Sequence, residues 1–296
     1  MSHSESRRKT IRNIVLGAGL VGVSPLVKLS ANDLDAIKPN FELKGNINHS
    51  VCRWCYQNIS MDDLSHESKE MGLKAIDLLK PSEWKTAQES GLTCAVATDD
   101  FANIQNGFND PDNHRHLQKS YEKLIVQAAE NGFPNVICFS GNKRQLDDET
   151  ARENCAKGLD PLVKLAEKHN ITLIMELLNS KVDHRDYQCD HTPWGVALAD
   201  KIGSPNFKLL YDIYHMQIME GDVIATIRKY HPYIAHYHTG GVPGRNEINC
   251  SQELNYPAIM RAIVETGFKG YVAQEFIPTY EDKIAALKEG VLICDV

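Results

Sequence analysis

The sequence predicts an α/β fold, a single (β/α)8 TIM barrel, and two observations carry that prediction. The first is a repeated unit in which an amphipathic helix ends at a Gly and a short apolar strand follows within a few residues. The second is the number of units, because the count reaches eight strands, each followed by a helix. Strands that alternate with helices of about ten to fifteen residues pair in parallel through crossovers, and eight such units close into a barrel.

Glycine marks four of the predicted helix ends, where a residue that tolerates positive φ is favoured. These glycines are Gly72, Gly91, Gly132 and Gly267, and the strands predicted after them cover residues 73–78, 94–97, 135–139 and 271–273. The other strands are predicted at residues 46–51, 172–177, 207–214 and 234–237, with helices such as 194–202 and 257–266. A doubly wound open sheet is the alternative. It is disfavoured because the first strand is not followed by G-x-G-x-x-G and the chain has no G-x-x-x-x-G-K-S/T loop.

The composition indicates a folded protein of enzyme size with a small-molecule ligand. A chain of 296 residues suits one barrel of roughly 250 residues, and 42% hydrophobic content is too high for a disordered chain. A net charge of −7 without a long Lys/Arg cluster argues against nucleic acid as a partner, because phosphate neutralisation needs concentrated positive charge. The oligomeric state stays open, with a homo-oligomer among the alternatives.

The first 35 residues predict a separate targeting segment. Arg7 and Arg8 precede the short Gly-rich apolar run at residues 14–23, an arrangement that resembles a twin-arginine export signal. The run is too short for a stable membrane span, which needs about 20 apolar residues. The prediction is therefore a signal and linker at 1–35 and the barrel domain at 36–296, with export to the periplasm. The alternative is a frayed basic tail that leads into a buried helix, which predicts a cytoplasmic protein.

The eight cysteines are spread from Cys52 to Cys294 in a chain large enough to fold without disulfides. Most of them are predicted to be small buried hydrophobic residues. Cys52 and Cys55 form the one close pair. Two unconnected thiols at a strand end are favoured for this pair, with a disulfide as the second interpretation.

Four consecutive strand ends carry side chains that bind metals. The active site of such a barrel lies at the C-terminal ends of its strands. At these ends the fifth to eighth predicted strands carry Glu176, Asp212, His238 and Glu275. The intervals between them are 36, 26 and 37 residues, about one strand-helix unit each. This spacing predicts four side chains at equivalent heights on neighbouring strands.

Three of these side chains are carboxylates, which favours a bound cation. A carboxylate within an apolar strand is costly to bury unless it is paired or coordinates a metal. Three carboxylates and one imidazole suit one divalent ion, Mn²⁺ or Mg²⁺. Each residue also has a simpler interpretation: Glu176 could pair with a Lys, Asp212 could cap a helix, and a strand histidine could pack in the core. His236 shares a face with His238 because side chains alternate along a strand, and His238 is chosen because it lies nearer the C-terminal end.

Longer segments around these residues resemble a known family. The segments are Glu-Leu-Leu-Asn at 176–179, Tyr-Asp-Ile-Tyr-His-Met-Gln at 211–217, His-Tyr-His at 236–238, and Glu275. They resemble hydroxypyruvate isomerases, within the xylose-isomerase-like group that includes the ketose 3-epimerases. The resemblance covers about residues 45–290.

The resemblance implies an isomerisation through an enediolate, with the metal as Lewis acid and template. One of Glu176 and Glu275 removes a proton from carbon and the other returns it, while both also bind the metal. By the same matching, His215 contacts a substrate hydroxyl and Arg245 contacts a substrate oxygen or carboxylate. Glu247 orients one of these two. The alternative is that Arg245 and Glu247 form an exposed loop pair.

The identity of the substrate stays open, because the sequence departs from the family pattern at two places. Hydroxypyruvate isomerases usually carry Gln where His238 stands, whereas His is typical of the epimerases, and the loop at residues 181–186 matches neither subgroup. The prediction is a metal-dependent isomerase of a small sugar or hydroxy-keto acid. Alternatives are a sugar 3-epimerase, a dehydratase, and an exported sugar-binding barrel without turnover. A nuclease is disfavoured because such sites gather more histidines around several metals.

Overall fold

In the computed structural model, the described residues, 42–296, form a closed barrel of eight parallel strands that follow one another in chain order. The strands are β1 (Asn48–Cys52), β2 (Ala75–Leu79), β3 (Thr93–Ala97), β4 (Asn135–Cys138), β5 (Thr172–Glu176), β6 (Phe207–Asp212), β7 (Ile234–Thr239) and β8 (Tyr271–Gln274). The predicted (β/α)8 barrel is therefore confirmed. The predicted export signal at 1–35 lies outside the described residues.

Helices surround the barrel and connect its strands. Within the described residues they are α1 (Met61–Glu70), α2 (Trp84–Glu89), α3 (Pro111–Glu130), α4 (Asp148–His169), α5 (Thr192–Ile202), α6 (Ile213–Met219), α7 (Val223–Tyr230), α8 (Tyr256–Glu265) and α9 (Lys283–Cys294), with 3-10 turns at Arg53–Tyr56 and His231–Tyr233. The strands are nearly all buried because helices cover the outer face of the barrel and side chains fill its interior. None of the described helices is both long and apolar enough to cross a bilayer.

The four glycines of the repeat end helices as predicted. Gly72, Gly91, Gly132 and Gly267 follow α1, α2, α3 and α8, with φ between 71° and 79°. A residue with a Cβ is disfavoured in this left-handed conformation. Each glycine thus stops its helix and turns the chain toward the next strand.

Strand β6 is shorter than predicted. The predicted strand at 207–214 was wrong at its end, because β6 stops at Asp212 and α6 begins at Ile213. The Asp212 side chain accepts a hydrogen bond from the His215 amide at 3.1 Å and caps this helix. When the last residue of a strand also caps a helix, the helix can begin at the next residue without a linking loop.

The cysteines behave as separate thiols. All eight are free, and six of them are buried. Cys52 and Cys55 are not joined by a disulfide, which agrees with the favoured interpretation. These thiols contribute to packing rather than to cross-linking.

A buried histidine at the start of β1 predicts acid sensitivity. His49 is 1% exposed, its Nε2 lies 3.7 Å from Asp295 Oδ1, and burial lowers its pKa to about 4. The unfolded chain takes up this proton near pH 6.5, so it binds more protons than the folded chain between about pH 6.5 and pH 4. Stability therefore falls as the pH falls through this window, by about 2 to 3 kcal/mol from this group at pH 4.5.

The measurement is the free energy of urea unfolding at pH 7 and pH 4.5 in His49→Gln and in the unchanged chain. We expect the variant to lose about 2 to 3 kcal/mol less on acidification. His66→Gln, at an exposed position of α1, is the matched control and should follow the unchanged chain. Equal losses in all three proteins would contradict the prediction.

Candidate active site

The four predicted metal-binding residues meet at one mouth of the barrel. Glu176 and Asp212 end β5 and β6, His238 lies one residue before the end of β7, and Glu275 follows β8 directly. All four are buried, with exposures between 0% and 5%. One ligand atom from each falls within 4.8 Å of the other three.

The register of the sheet explains this convergence. Asp212 and His238 are paired across β6 and β7. The Glu275 amide donates to the Thr239 carbonyl at 3.1 Å, which continues the pairing of β7 and β8 by one residue. Parallel strands end at the same rim of the barrel, so residues at their ends face a common centre.

His238 faces two of the carboxylates with its Nδ1 atom. Its Nδ1 lies 2.8 Å from Glu275 Oε2 and 3.4 Å from Glu176 Oε1. The Nδ1 atom is buried and has no hydrogen-bond partner among the described residues. Burial opposes a charge on this ring, but Cys52 and Glu275 outweigh it and raise the pKa of His238.

Arg245 brings a positive charge to the same carboxylates. Its Nη2 donates to Glu275 Oε2 at 2.6 Å and to Asp212 Oδ2 at 3.2 Å. The guanidinium carbon lies 5.1 Å from the Trp54 ring centre and 5.3 Å from that of Tyr214. Two aromatic faces and two carboxylates thus hold a guanidinium whose side chain is only 13% exposed.

The two carboxylates that bind Arg245 have different proton affinities. Burial raises the pKa of Asp212 although Arg245 opposes the shift. For Glu275 burial acts in the same direction, but the charges of His238 and Arg245 outweigh it and lower the pKa well below its usual range. Trp54 Nε1 also donates to Glu275 Oε1 at 2.7 Å. Glu275 is therefore an ionised carboxylate with both oxygens engaged.

His215 lies beside Asp212 at the edge of the cluster. Its Nδ1 contacts Asn179 Nδ2 at 2.6 Å, while its Nε2 lies 3.6 Å from Asp212 Oδ2. Burial lowers the pKa of His215 well below its usual value, with a further contribution from Arg245. The ring is consequently neutral. Its Nε2 has no hydrogen-bond partner among residues 42–296 and is free to contact a ligand.

Glu247 is placed differently from the other predicted residues. Its carboxylate accepts hydrogen bonds from the Thr279 hydroxyl at 2.9 Å and the Tyr280 amide at 3.2 Å. It therefore fixes the loop after β8, and its carboxylate forms no hydrogen bond or ion pair with His215 or Arg245. The alternative of an exposed loop pair was wrong, because Glu247 is 5% exposed and Arg245 pairs with other carboxylates.

Several residues near the site were not predicted from the sequence. Trp54 holds Glu275, Asn179 holds His215, and Asp77 lies behind His238 with an Oδ2–Nε2 distance of 3.4 Å. Asp77 carried a usable signal, because it is a carboxylate within an apolar strand just as Glu176 is. Trp54 carried none, since a Trp after a strand is common in cores.

A cavity of about 310 Å³ opens onto the cluster. Its lining residues are Trp54, Leu78, Ile104, Phe139, Glu176, Leu178, His184, Arg245 and Glu275. A second cavity of about 670 Å³ shares Ile104 and His184 with it and is lined by amide and charged side chains. The site therefore has a mainly apolar inner cavity that also carries charged side chains, and a larger, more polar cavity that adjoins it and is taken as the entrance.

The donor set fits one divalent cation. Three carboxylates surround His238 Nδ1, a buried donor without a hydrogen-bond partner in the described part of the chain. Arg245 and a protonated His238 relieve the repulsion among Glu176, Asp212 and Glu275 only in part, since these two cations offset at most two of three negative charges. Oxygen donors with one imidazole suit Mn²⁺ or Mg²⁺ better than a thiolate-seeking ion.

Comparisons with known proteins agree with this geometry. The sequence model of a family described as "Xylose isomerase-like TIM barrel" matches residues 66–291. The chain is 32% identical to "Hydroxypyruvate isomerase" of Escherichia coli over 57% of this chain and 65% of that protein. It is 26% identical to "2-oxo-tetronate isomerase" of Cupriavidus necator over 70% of this chain and 83% of that protein. The solved structure of D-psicose 3-epimerase from Clostridium cellulolyticum superposes with a TM-score of 0.68 at 17% identity, over 84% of this chain and 100% of that one.

Proposed function

Because this chain belongs to the xylose isomerase-like TIM barrel family, we propose that it is a divalent-metal-dependent isomerase of a small hydroxy-carbonyl compound. The observation that carries the proposal is the convergence of Glu176, Asp212, His238 and Glu275 within 4.8 Å. Relatives named for the isomerisation of 2-oxo acids support the reaction class.

The four converging side chains would hold one Mn²⁺ or Mg²⁺ ion. When bound, such an ion polarises a substrate carbonyl and stabilises the negative charge that develops on its oxygen. Arg245 Nη2 lies within 3.2 Å of two of these carboxylates, Asp212 and Glu275, so its guanidinium can contact a substrate oxygen or carboxylate at this centre. His215 Nε2, which has no hydrogen-bond partner within residues 42–296, suits a substrate hydroxyl.

The two glutamates suit a proton transfer between adjacent carbons. In an aldose-ketose or keto-acid isomerisation, a base takes a proton from the carbon that bears the hydroxyl, and an acid gives a proton to the neighbouring carbonyl carbon. At the same time the hydroxyl oxygen loses its proton and the carbonyl oxygen gains one. Glu176 and Glu275 both line the 310 Å³ cavity and can take these two roles in either order. Trp54 fixes the direction of the Glu275 carboxylate through its 2.7 Å hydrogen bond. The apolar walls of the cavity exclude water from the transfer.

Product analysis with hydroxypyruvate and a panel of ketoses, with Mn²⁺ or Mg²⁺ in D₂O, tests the proposal. We expect a product of unchanged composition that carries deuterium at carbon, because the transferred proton exchanges with solvent on the glutamate. Loss of water from the substrate would indicate a dehydratase. Ligand binding without turnover or metal would indicate a sugar-binding barrel. Either result would contradict the proposed isomerase.

A ketose 3-epimerase is the second candidate, and the size of the site favours it. The inner cavity of about 310 Å³ adjoins an entrance of about 670 Å³. A three-carbon keto acid fills only a small part of this space, whereas a ketohexose fills more of it, and amide side chains such as Gln105 and Asn142 line the larger cavity. In the same panel, a kcat/KM higher for ketohexoses than for hydroxypyruvate would select this candidate.

A further inference from the structure

A second buried cluster adjoins His238 at its Nε2 atom. Asp77, His236 and Cys52 are all 0% exposed. Asp77 Oδ2 lies 2.5 Å from His236 Nε2 and 3.4 Å from His238 Nε2. Cys52 Sγ lies 3.6 Å from the same His238 nitrogen. The two nitrogens of the His238 ring thus face two different groups.

The group beside His238 Nε2 decides which nitrogen of the imidazole ring carries the proton. A neutral imidazole has a proton on one nitrogen and a lone pair on the other. If Nδ1 of His238 is to bind a metal, the proton must lie on Nε2 and needs an acceptor there. Asp77 and Cys52 are the acceptors within reach. The carboxylate is the stronger of the two, since a thiol accepts hydrogen bonds only weakly.

The backbone of β2 departs from regular pairing at this point. Alternation along a strand would send Asp77 and Leu78 to opposite faces. The register with β3 shifts on both sides of Asp77, and Leu78 has a φ of 59°. As a result Asp77 reaches His236 inside the barrel while Leu78 lines the 310 Å³ cavity. Bulges that redirect side chains recur beside active sites.

We propose that Asp77 is a positioning residue for His238. Its carboxylate accepts a hydrogen bond from the Nε2–H group, 3.4 Å away, and so keeps the proton on Nε2 and Nδ1 directed toward Glu275 and Glu176. His236 Nε2 lies against the same oxygen of this carboxylate, Oδ2. Asp77 Oδ2 and His236 Nε2 lie only 2.5 Å apart, a separation too short for two ligands of one metal ion, which favours this role over a second metal site. The inference rests on the proposed function, because it requires a metal at Nδ1.

Titration of Mn²⁺ into the metal-free full chain by calorimetry tests this role. Asp77→Asn preserves the shape of the side chain but removes its charge, and we expect it to raise the Kd for Mn²⁺ about tenfold. Loss of a residue that hydrogen-bonds to a metal ligand typically weakens metal binding by at least this factor. In a His238→Gln background, the same substitution should leave the Kd unchanged, because its effect passes through the imidazole. Equal weakening in both backgrounds, or none in either, would overturn the proposal.

A matched control separates positioning from general damage to the core. Asn135→Ala removes a buried side chain that donates to the Ala95 carbonyl at 2.9 Å, and it should leave the Kd for Mn²⁺ unchanged. Nitrogen NMR of the unchanged chain with Mg²⁺ gives a measurement that needs no variant: a proton on Nε2 of His238 supports the proposal and one on Nδ1 overturns it. If the unchanged chain binds no Mn²⁺, the proposed function fails together with this inference. Binding with an unaffected Asp77→Asn variant overturns the inference alone.

Discussion

Replacing Glu275 by Gln is expected to lower kcat about 10³- to 10⁴-fold at saturating Mn²⁺. The substitution retains the shape of the side chain and an acceptor for Trp54 Nε1. It removes the negative charge that lies 2.6 Å from Arg245 Nη2 and 2.8 Å from His238 Nδ1. A neutral amide can neither take a proton from carbon nor balance the cation, so the chemical step loses a base and a ligand together.

The measurement is kcat on the best substrate of the panel, with the unfolding temperature recorded for each protein. Glu281→Gln is the matched control, because Glu281 is exposed and lies six residues beyond Glu275 in the chain. This control should retain full activity. Full activity in Glu275→Gln would contradict the proton-transfer role of Glu275. A drop in unfolding temperature large enough to leave the chain unfolded would show a structural role instead.

The strand-end residues were predictable because barrel geometry converts sequence spacing into position. Strands of similar length start at one rim and end at the other, so a repeat of one strand and one helix returns the chain to the same height. Glu176, Asp212 and Glu275 follow this rule, and the structure brings them together with His238. The choice of His238 over His236 also agrees with the geometry, since His236 lies deeper and contacts Asp77.

Other features depended on contacts that no local pattern encodes. Asp77 and His236 come from β2 and β7, which are not neighbours in the barrel, so their contact crosses its interior. The bulge at Leu78 that allows this contact leaves no recognisable mark in an apolar strand. The end of β6 was missed because Asp212 serves both as a strand end and as a helix cap. Glu247 was expected from the family resemblance to orient His215 or Arg245, but its hydrogen bonds belong to the loop after β8.

Removal of divalent metal is expected to abolish turnover and to destabilise the folded chain. Without a cation, the buried carboxylates of Glu176, Asp212 and Glu275 share only the charge of Arg245 and a protonated His238. An ion that binds only the folded state stabilises it by about 2.7 kcal/mol when its free concentration is 100 times Kd. For a domain of this size that corresponds to a rise in Tm of about 5 to 10 °C.

The measurement compares kcat and Tm after treatment with EDTA and after addition of Mn²⁺ or Mg²⁺. Glu176→Gln removes one donor without touching the contacts of Arg245, so its Tm should respond much less to Mn²⁺ than that of the unchanged chain. Because the bound ion and the imidazolium of His238 compete for the same carboxylates, metal should bind less tightly as the pH falls. Full turnover in EDTA-treated protein that contains no metal would contradict this prediction.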